Sequence, residues 1–158
     1  MPKFEVVAIH MDKNFKGVEI LNHNKSFNYD NFLEQPSGIP FSEKVMDFLH
    51  ALFKTINQNP RLKKYPDVAS FSFFCRRANI LKLKNIFFPK DITNIGRGVI
   101  FHIAPSNVPV NFAFSLITGL LAGNSNIVKI SSKNFEQTDI IVDSLNKLSK
   151  ISRYSKIS

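Results

Sequence analysis

Apolar positions recur along the chain with two different spacings, and these spacings predict its elements. Phe4–Met11 is apolar and β-prone, and Gly17–Leu21 repeats that character after a polar turn at Lys13 and Asn14. The chain therefore opens with two short strands. Asn22–Tyr29 is polar, and the stretch from Pro36 to Pro40 reads as a loop. Ser42 then caps a helix with Glu43 in its first turn, where a carboxylate faces the positive end of the helix dipole. Val45, Phe48, Leu49, Leu52, Phe53 and Ile56 fall at three- and four-residue intervals on one face, and Asn57–Pro60 ends the pattern. Asp67, after Pro66, is the expected cap of a second helix. Its apolar side would carry Val68, Phe71, Cys75, Ala78 and Leu81, with Arg76, Arg77, Lys82 and Lys84 elsewhere.

From Val99 the period shortens. Val99–Ile103 is a β-branched run, followed by a loop from Ala104 to Pro109 that holds two prolines. Val110–Ala122 has helical composition, and Gly123-Asn124 suits a left-handed stop. Asn126–Ile130 is a second strand. Asn134, with Gln137 three residues on, is the expected cap of a last helix whose buried stripe is Ile141, Leu145 and Leu148. Strand, helix, strand, helix predicts an α/β fold with parallel strands in an incomplete open sheet. The expected division is residues 1–95 as an N-terminal helical and strand segment, 96–150 as a partial βαβα nucleotide-binding unit, and 151–158 as a tail without terminating structure.

Composition narrows the class. The 158 residues suit one domain or a large piece of one, and 44% hydrophobic with 21% charged describes a soluble globular chain. The net charge of +9 is regional: residues 1–60 sum to −1, residues 61–98 to +7 and residues 99–158 to +3. Asn, Lys, Ile and Phe supply 65 residues, a bias that an AT-rich genome produces by itself. The single cysteine, Cys75, excludes an internal disulfide and a thiolate zinc cluster and fits a reducing compartment. His10, His23, His50 and His102 show no metal-ligand spacing. No leader is visible at the start, and the longest apolar stretch is too short to span a membrane, so a cytoplasmic location is expected.

Ligands of open parallel sheets sit beyond the carboxyl ends of the strands. The loop holding Asn107 leaves the first strand there, and Lys129 ends the second. Asn107 can serve as a fixed donor to a developing oxyanion, an interaction whose loss raises a barrier by about 3–4 kcal/mol. It can equally be a turn-former between prolines. Lys129 can meet a ribose or phosphate, or stand solvated.

The run from Gly98 to Pro109, followed by that from Leu121 to Ser132, resembles the aldehyde dehydrogenase superfamily. That superfamily has a proline-framed Asn-x-Pro loop, a helix, a Gly-Asn turn and a strand ending in Lys. Ser106 before Asn107, and Ser131-Ser132 after Lys129, make the Lux-type acyl-CoA reductases the most similar group. The segment from Phe71 to Asn79 is similar to one upstream of that loop, and the resemblance covers residues 65–145. It implies the N-terminal part of an aldehyde-dehydrogenase-like fold and NADPH-dependent reduction of a fatty acyl thioester, such as an acyl-CoA, to an aldehyde. It further implies that Asn107 stabilises the oxyanion, that Ile103, Ala104 and Pro105 line the nicotinamide side, and that Lys129 holds the adenosine ribose. Many NAD-preferring members carry a glutamate where this chain has Ser132, so NADP is the implied cofactor.

The family's nucleophilic cysteine and its acid-base glutamate lie downstream of the lysine, in sequence this chain does not contain. A truncated chain, inactive alone and in need of its C-terminal portion or an oligomeric partner, is therefore expected. Cys75 precedes the nucleotide unit on an apolar helix face and reads as packing. Two other classes compete. One is a small basic nucleic-acid-binding protein built on Arg61, Lys63, Lys64, Arg76, Arg77, Lys82 and Lys84. The other is a non-catalytic nucleotide-binding subunit. Against the first, Phe71 and Phe74 fall near the buried helix face instead of between exposed cations.

Overall fold

The computed structural model describes residues 6–11, 18–20, 36–88, 94–131 and 133–154, the first two stretches as backbone only. Where the sequence alternates β-branched residues, strands form: β1 (Val6–Met11), β2 (Val18–Ile20), β3 (Val99–Ile103) and β4 (Ser125–Lys129). Where apolar residues recur at helical spacing, helices form: α1 (Glu43–Asn57), α2 (Pro66–Phe74), α3 (Arg77–Phe87), α4 (Asn111–Leu121) and α5 (Glu136–Ser149).

The sheet order is β2-β1-β4-β3, with β4 parallel to both neighbours and β2 antiparallel to β1. The α/β class and the parallel β3–β4 pair agree with the sequence. That β1 joins β4 on its other side is a finding about long-range pairing, which local periodicity does not encode. The crossover through α4 lays β3 beside β4 in the register Val99–Ser125 to Ile103–Lys129. Central β4 is better protected than β3, with Asn126 and Val128 fully buried.

Helix α1 follows its pattern closely. The Val45 amide donates to Ser42 Oγ at its start, and Val45, Met46, Phe48, Leu49, Leu52 and Ile56 are all buried. The expected second helix is instead two. Cys75 caps α2, and Arg76 is extended (φ −63°, ψ 130°) before α3 begins. The break resets the helical phase, so Ala78 and Leu81 point to solvent and Ile80 takes the buried position. Side chains hold the break. The Asn79 amide donates to the Phe73 carbonyl at 2.7 Å, and Arg77 pairs with Glu43 and Asp47 of α1. Asp67 is likewise not the cap. Tyr65 occupies that position, and Asp67 accepts from the amide of its neighbour Val68 within the first turn.

Helix α5 also starts without the expected cap. Phe135 precedes it with no side-chain hydrogen bond, Asn134 is exposed, and Glu136 and Asp139 supply negative charge to the first turn instead. Its stripe of Ile141, Leu145 and Leu148 is buried as expected. After it, the chain turns through Ile151 to Tyr154, more order than the sequence predicted. Tyr154 packs edge-on against Phe48 at 5.8 Å, and Arg153 joins Arg77 on the Asp47 carboxylate.

Three backbone segments meet at glycines. The Gly38 amide donates to the Gly123 carbonyl and the Gly96 amide to the Gly38 carbonyl, both at 2.8 Å. Gly123 (φ +81°) makes the left-handed stop after α4. A Cβ on Gly96 would stand 2.0 Å from the Gly123 carbonyl oxygen, an impossible approach. Gly98 has φ +104° but open space around it. Gly96→Ala is therefore expected to cost about 3 kcal/mol or more by overpacking, and Gly98→Ala only about 1 kcal/mol of backbone strain. Urea unfolding of the two variants checks this, and equal midpoints would contradict it.

Candidate functional site

The carboxyl edge of β3 and β4 is built from the parallel register. Ile103 pairs with Lys129, and the Ala104 amide continues the ladder by donating to the Lys129 carbonyl at 3.1 Å. The chain then turns away through Pro105, Ser106, Asn107 and Val108, all exposed, while Ala104 is buried. Pro109 returns it to the protein, its carbonyl accepting from Thr138 Oγ1 of α5 at 3.4 Å. Asn107 and Lys129 thus belong to one edge of the sheet, as the crossover predicts. Lys129 is half-buried and makes no ion pair with any described residue. Ser132 lies outside the described residues. Among the described residues, no group of three or more His, Cys, Asp or Glu side chains could hold a metal.

Alternation along β3 gives its two sides different surroundings. Phe101 and Ile103 share the side away from α4 and are 52% and 74% exposed. His102 is on the other side, against α4, where its Nε2 lies 2.8 Å from Asn126 Oδ1. The Asn126 amide nitrogen donates to the Asn124 carbonyl at 2.8 Å, so its oxygen faces His102 and Nε2 carries the proton of that bond. Asn124 in turn accepts from the Arg97 amide at 2.6 Å and donates to the Gly119 carbonyl of α4 at 3.3 Å. A Cβ at Gly119 would stand 1.8 Å from Asn126 Oδ1, so only glycine lets the helix come this close.

Sequence reasoning assigned His102 nothing and passed over Asn126 and Gly119. The available signals were an amide inside an apolar strand and a glycine inside a helix, each of which marks close backbone approach.

Cys75 is not at this edge. It is fully buried in the core at the end of α2, and burial pushes its thiol far above the ordinary cysteine range, so the nucleophilic thiolate is not formed. Nor do the basic side chains of residues 61–84 stand as one free array. Arg61 pairs with Asp143, Arg77 with Glu43 and Asp47, and the Arg76 guanidinium lies over the Phe73 ring. Among the described residues, no helix is long and apolar enough to cross a membrane.

Residues 84–156 match the family described as acyl-CoA reductase (LuxC). The match bears out the family resemblance over Val99–Ile130 and begins after the Phe71–Asn79 segment that the resemblance also included. No curated protein and no solved structure matches the chain.

The burial of Cys75 gives a direct expectation. A thiol reagent such as iodoacetamide should leave the native chain unmodified and label one site after denaturation. Native labelling at the rate of a free cysteine would contradict it.

Proposed function

We propose, on the premise that residues 84–156 match the acyl-CoA reductase (LuxC) family, that the chain supplies the nucleotide-binding edge of an NADPH-dependent acyl-CoA reductase. The fold we propose is the N-terminal part of an aldehyde-dehydrogenase-like architecture. The observation that carries the reading is the ladder that continues from Ile103 to Ala104 beside Lys129, which sets the proline-framed loop next to the end of β4.

The residues present fit a dinucleotide. The Lys129 ammonium has no ion pair among the described residues, and the exposed Ile103 offers an apolar wall at the same edge. Lys129 would hold the adenosine ribose, with Ser132 leaving room for a 2′-phosphate that a carboxylate would repel. Ile103, Ala104 and Pro105 would line the nicotinamide side. When bound, the dinucleotide supplies the hydride that turns an acyl thioester into an aldehyde.

Asn107, in an exposed loop between prolines, would donate to the substrate carbonyl oxygen as negative charge develops there. The prolines on either side restrict the backbone of the loop that carries this donor. The acyl group needs a thiolate to receive it, and the buried Cys75 is not one. The thiol that takes the acyl group would come from sequence outside these 158 residues.

Fluorescence titration tests the reading. NADPH should bind more tightly than NADH, Ser132→Glu should reverse that order, and Lys129→Ala should weaken both by about tenfold, the value of one charge-assisted bond. Equal affinities that neither substitution changes would contradict the assignment. With decanoyl-CoA and NADPH the 158-residue chain should show no multiple turnover. Turnover abolished by Cys75→Ser would overturn the role given to that residue.

A further inference from the structure

Strand β3 lies at one side of the sheet, with β4 as its neighbour and no strand beyond it among the described residues. In a parallel pair both backbone groups of one residue face the neighbouring strand, and those of the next residue face away. The Gly98 carbonyl accepts from the Ser125 amide at 2.9 Å, and the Ala104 amide donates to the Lys129 carbonyl at 3.1 Å. These two contacts fix the phase. Gly98, Ile100, His102 and Ala104 face β4, while the N–H and C=O groups of Val99, Phe101 and Ile103 point out of the sheet. By alternation the side chains of the same three residues share the side away from α4, where Phe101 is 52% and Ile103 74% exposed.

Two features of this edge select its occupant. The first is symmetry. The outward-facing residues are placed evenly about Phe101, so an antiparallel copy of β3 related by a two-fold axis there brings them into register. Val99 then lies opposite Ile103 of the second copy, and Phe101 opposite Phe101, each as a pair that exchanges both backbone hydrogen bonds. The facing side chains are apolar, with an aromatic pair on the axis. The second feature is charge. The strand, Val-Ile-Phe-His-Ile, carries no Lys, Arg, Asp, Glu or Pro, the residues that keep sheet edges apart. Its histidine is engaged by Asn126 on the α4 side. Arg97, just before the strand, falls opposite Pro105 of the second copy, so the two Arg97 residues stand about 27 Å apart along the pair. That distance exceeds the Debye length at physiological salt. Lys129, beside Ile103, is separated from its counterpart by both copies of β3. Two copies therefore meet here without opposing charges, whereas an acidic or nucleic-acid partner finds no row of cations along the strand.

We infer that the free edge of β3 docks a second copy of this chain, antiparallel about Phe101, so that the two sheets become one. The contact uses backbone groups and Phe101, and it holds whether or not the neighbouring loop binds a nucleotide. Amide hydrogen exchange followed by NMR, beside sedimentation of the same samples, tests it. The concentrated chain should sediment as a dimer, with the Val99, Phe101 and Ile103 amides protected along with those of Ile100 and His102. On dilution to the monomer the first three should lose protection while Ile100 and His102 keep theirs. Phe101→Lys and Phe101→Glu should each weaken self-association about tenfold, by removing the ring pair and placing like charges on the axis. An equimolar mixture of the two variants should restore the dimer. The exchange measurement needs no substitution, so it decides the question if either variant misfolds. A chain that stays monomeric at NMR concentration, a dimer whose three outward amides exchange freely, or a mixture of folded variants that stays monomeric would overturn the inference.

Discussion

The side chain of Asn126 is fully buried in the central strand, and every polar atom it carries is used within the sheet and helix around it. A buried amide without partners costs about 1–3 kcal/mol, so these bonds constrain where β3, β4 and α4 can sit. His102 ties β3 to Asn126, Asn124 ties the α4–β4 turn to α4 and to the Arg97 amide, and Gly119 lets α4 approach the pair. An apolar residue at 126 would be as well buried but would not select one register. The register in turn sets Ala104 beside Lys129, and from it follows the course of the proline-framed loop.

The glycine junction acts at the opposite end of the same strands. Gly38, Gly96 and Gly123 bring the segment before α1, the segment before β3 and the turn before β4 within backbone hydrogen-bonding distance. Close approach at one end and the amide pair in the middle leave the carboxyl edge as the open part of the sheet. Phe101 and Ile103 remain exposed there. Among the described residues no side chain covers them fully, and exposed apolar side chains on a strand leave a surface that a ligand or further protein can cover.

Elements governed by local chemistry were legible in the sequence. The Ser42 cap and the stripe of α1, the β-branched run of β3 and the Gly123 stop each depend on residues within a few positions of one another. The misreadings arose where distant partners decide. A single helix through Cys75 looks sound by periodicity, yet Arg77 finds Glu43 and Asp47 on α1, and Asn79 finds the Phe73 carbonyl, only in a broken form. Asn134 has the right spacing from Gln137 for a cap, but the helix starts after Phe135. At the site, the loop and Lys129 could be read from strand-end logic. The His102–Asn126 bond could not, because it joins residues 24 positions apart across a pairing that sequence does not print.

The central claim is that the edge formed by Ile103, the Asn107 loop and Lys129 is where a nucleotide meets this chain. Amide chemical shifts followed by two-dimensional NMR during an NADPH titration test it most directly. The account predicts saturable shifts in residues 103–107 and 129–133, with α1 and the Cys75 region unmoved. Shifts confined to residues 61–88, or none at saturating NADPH, would contradict it.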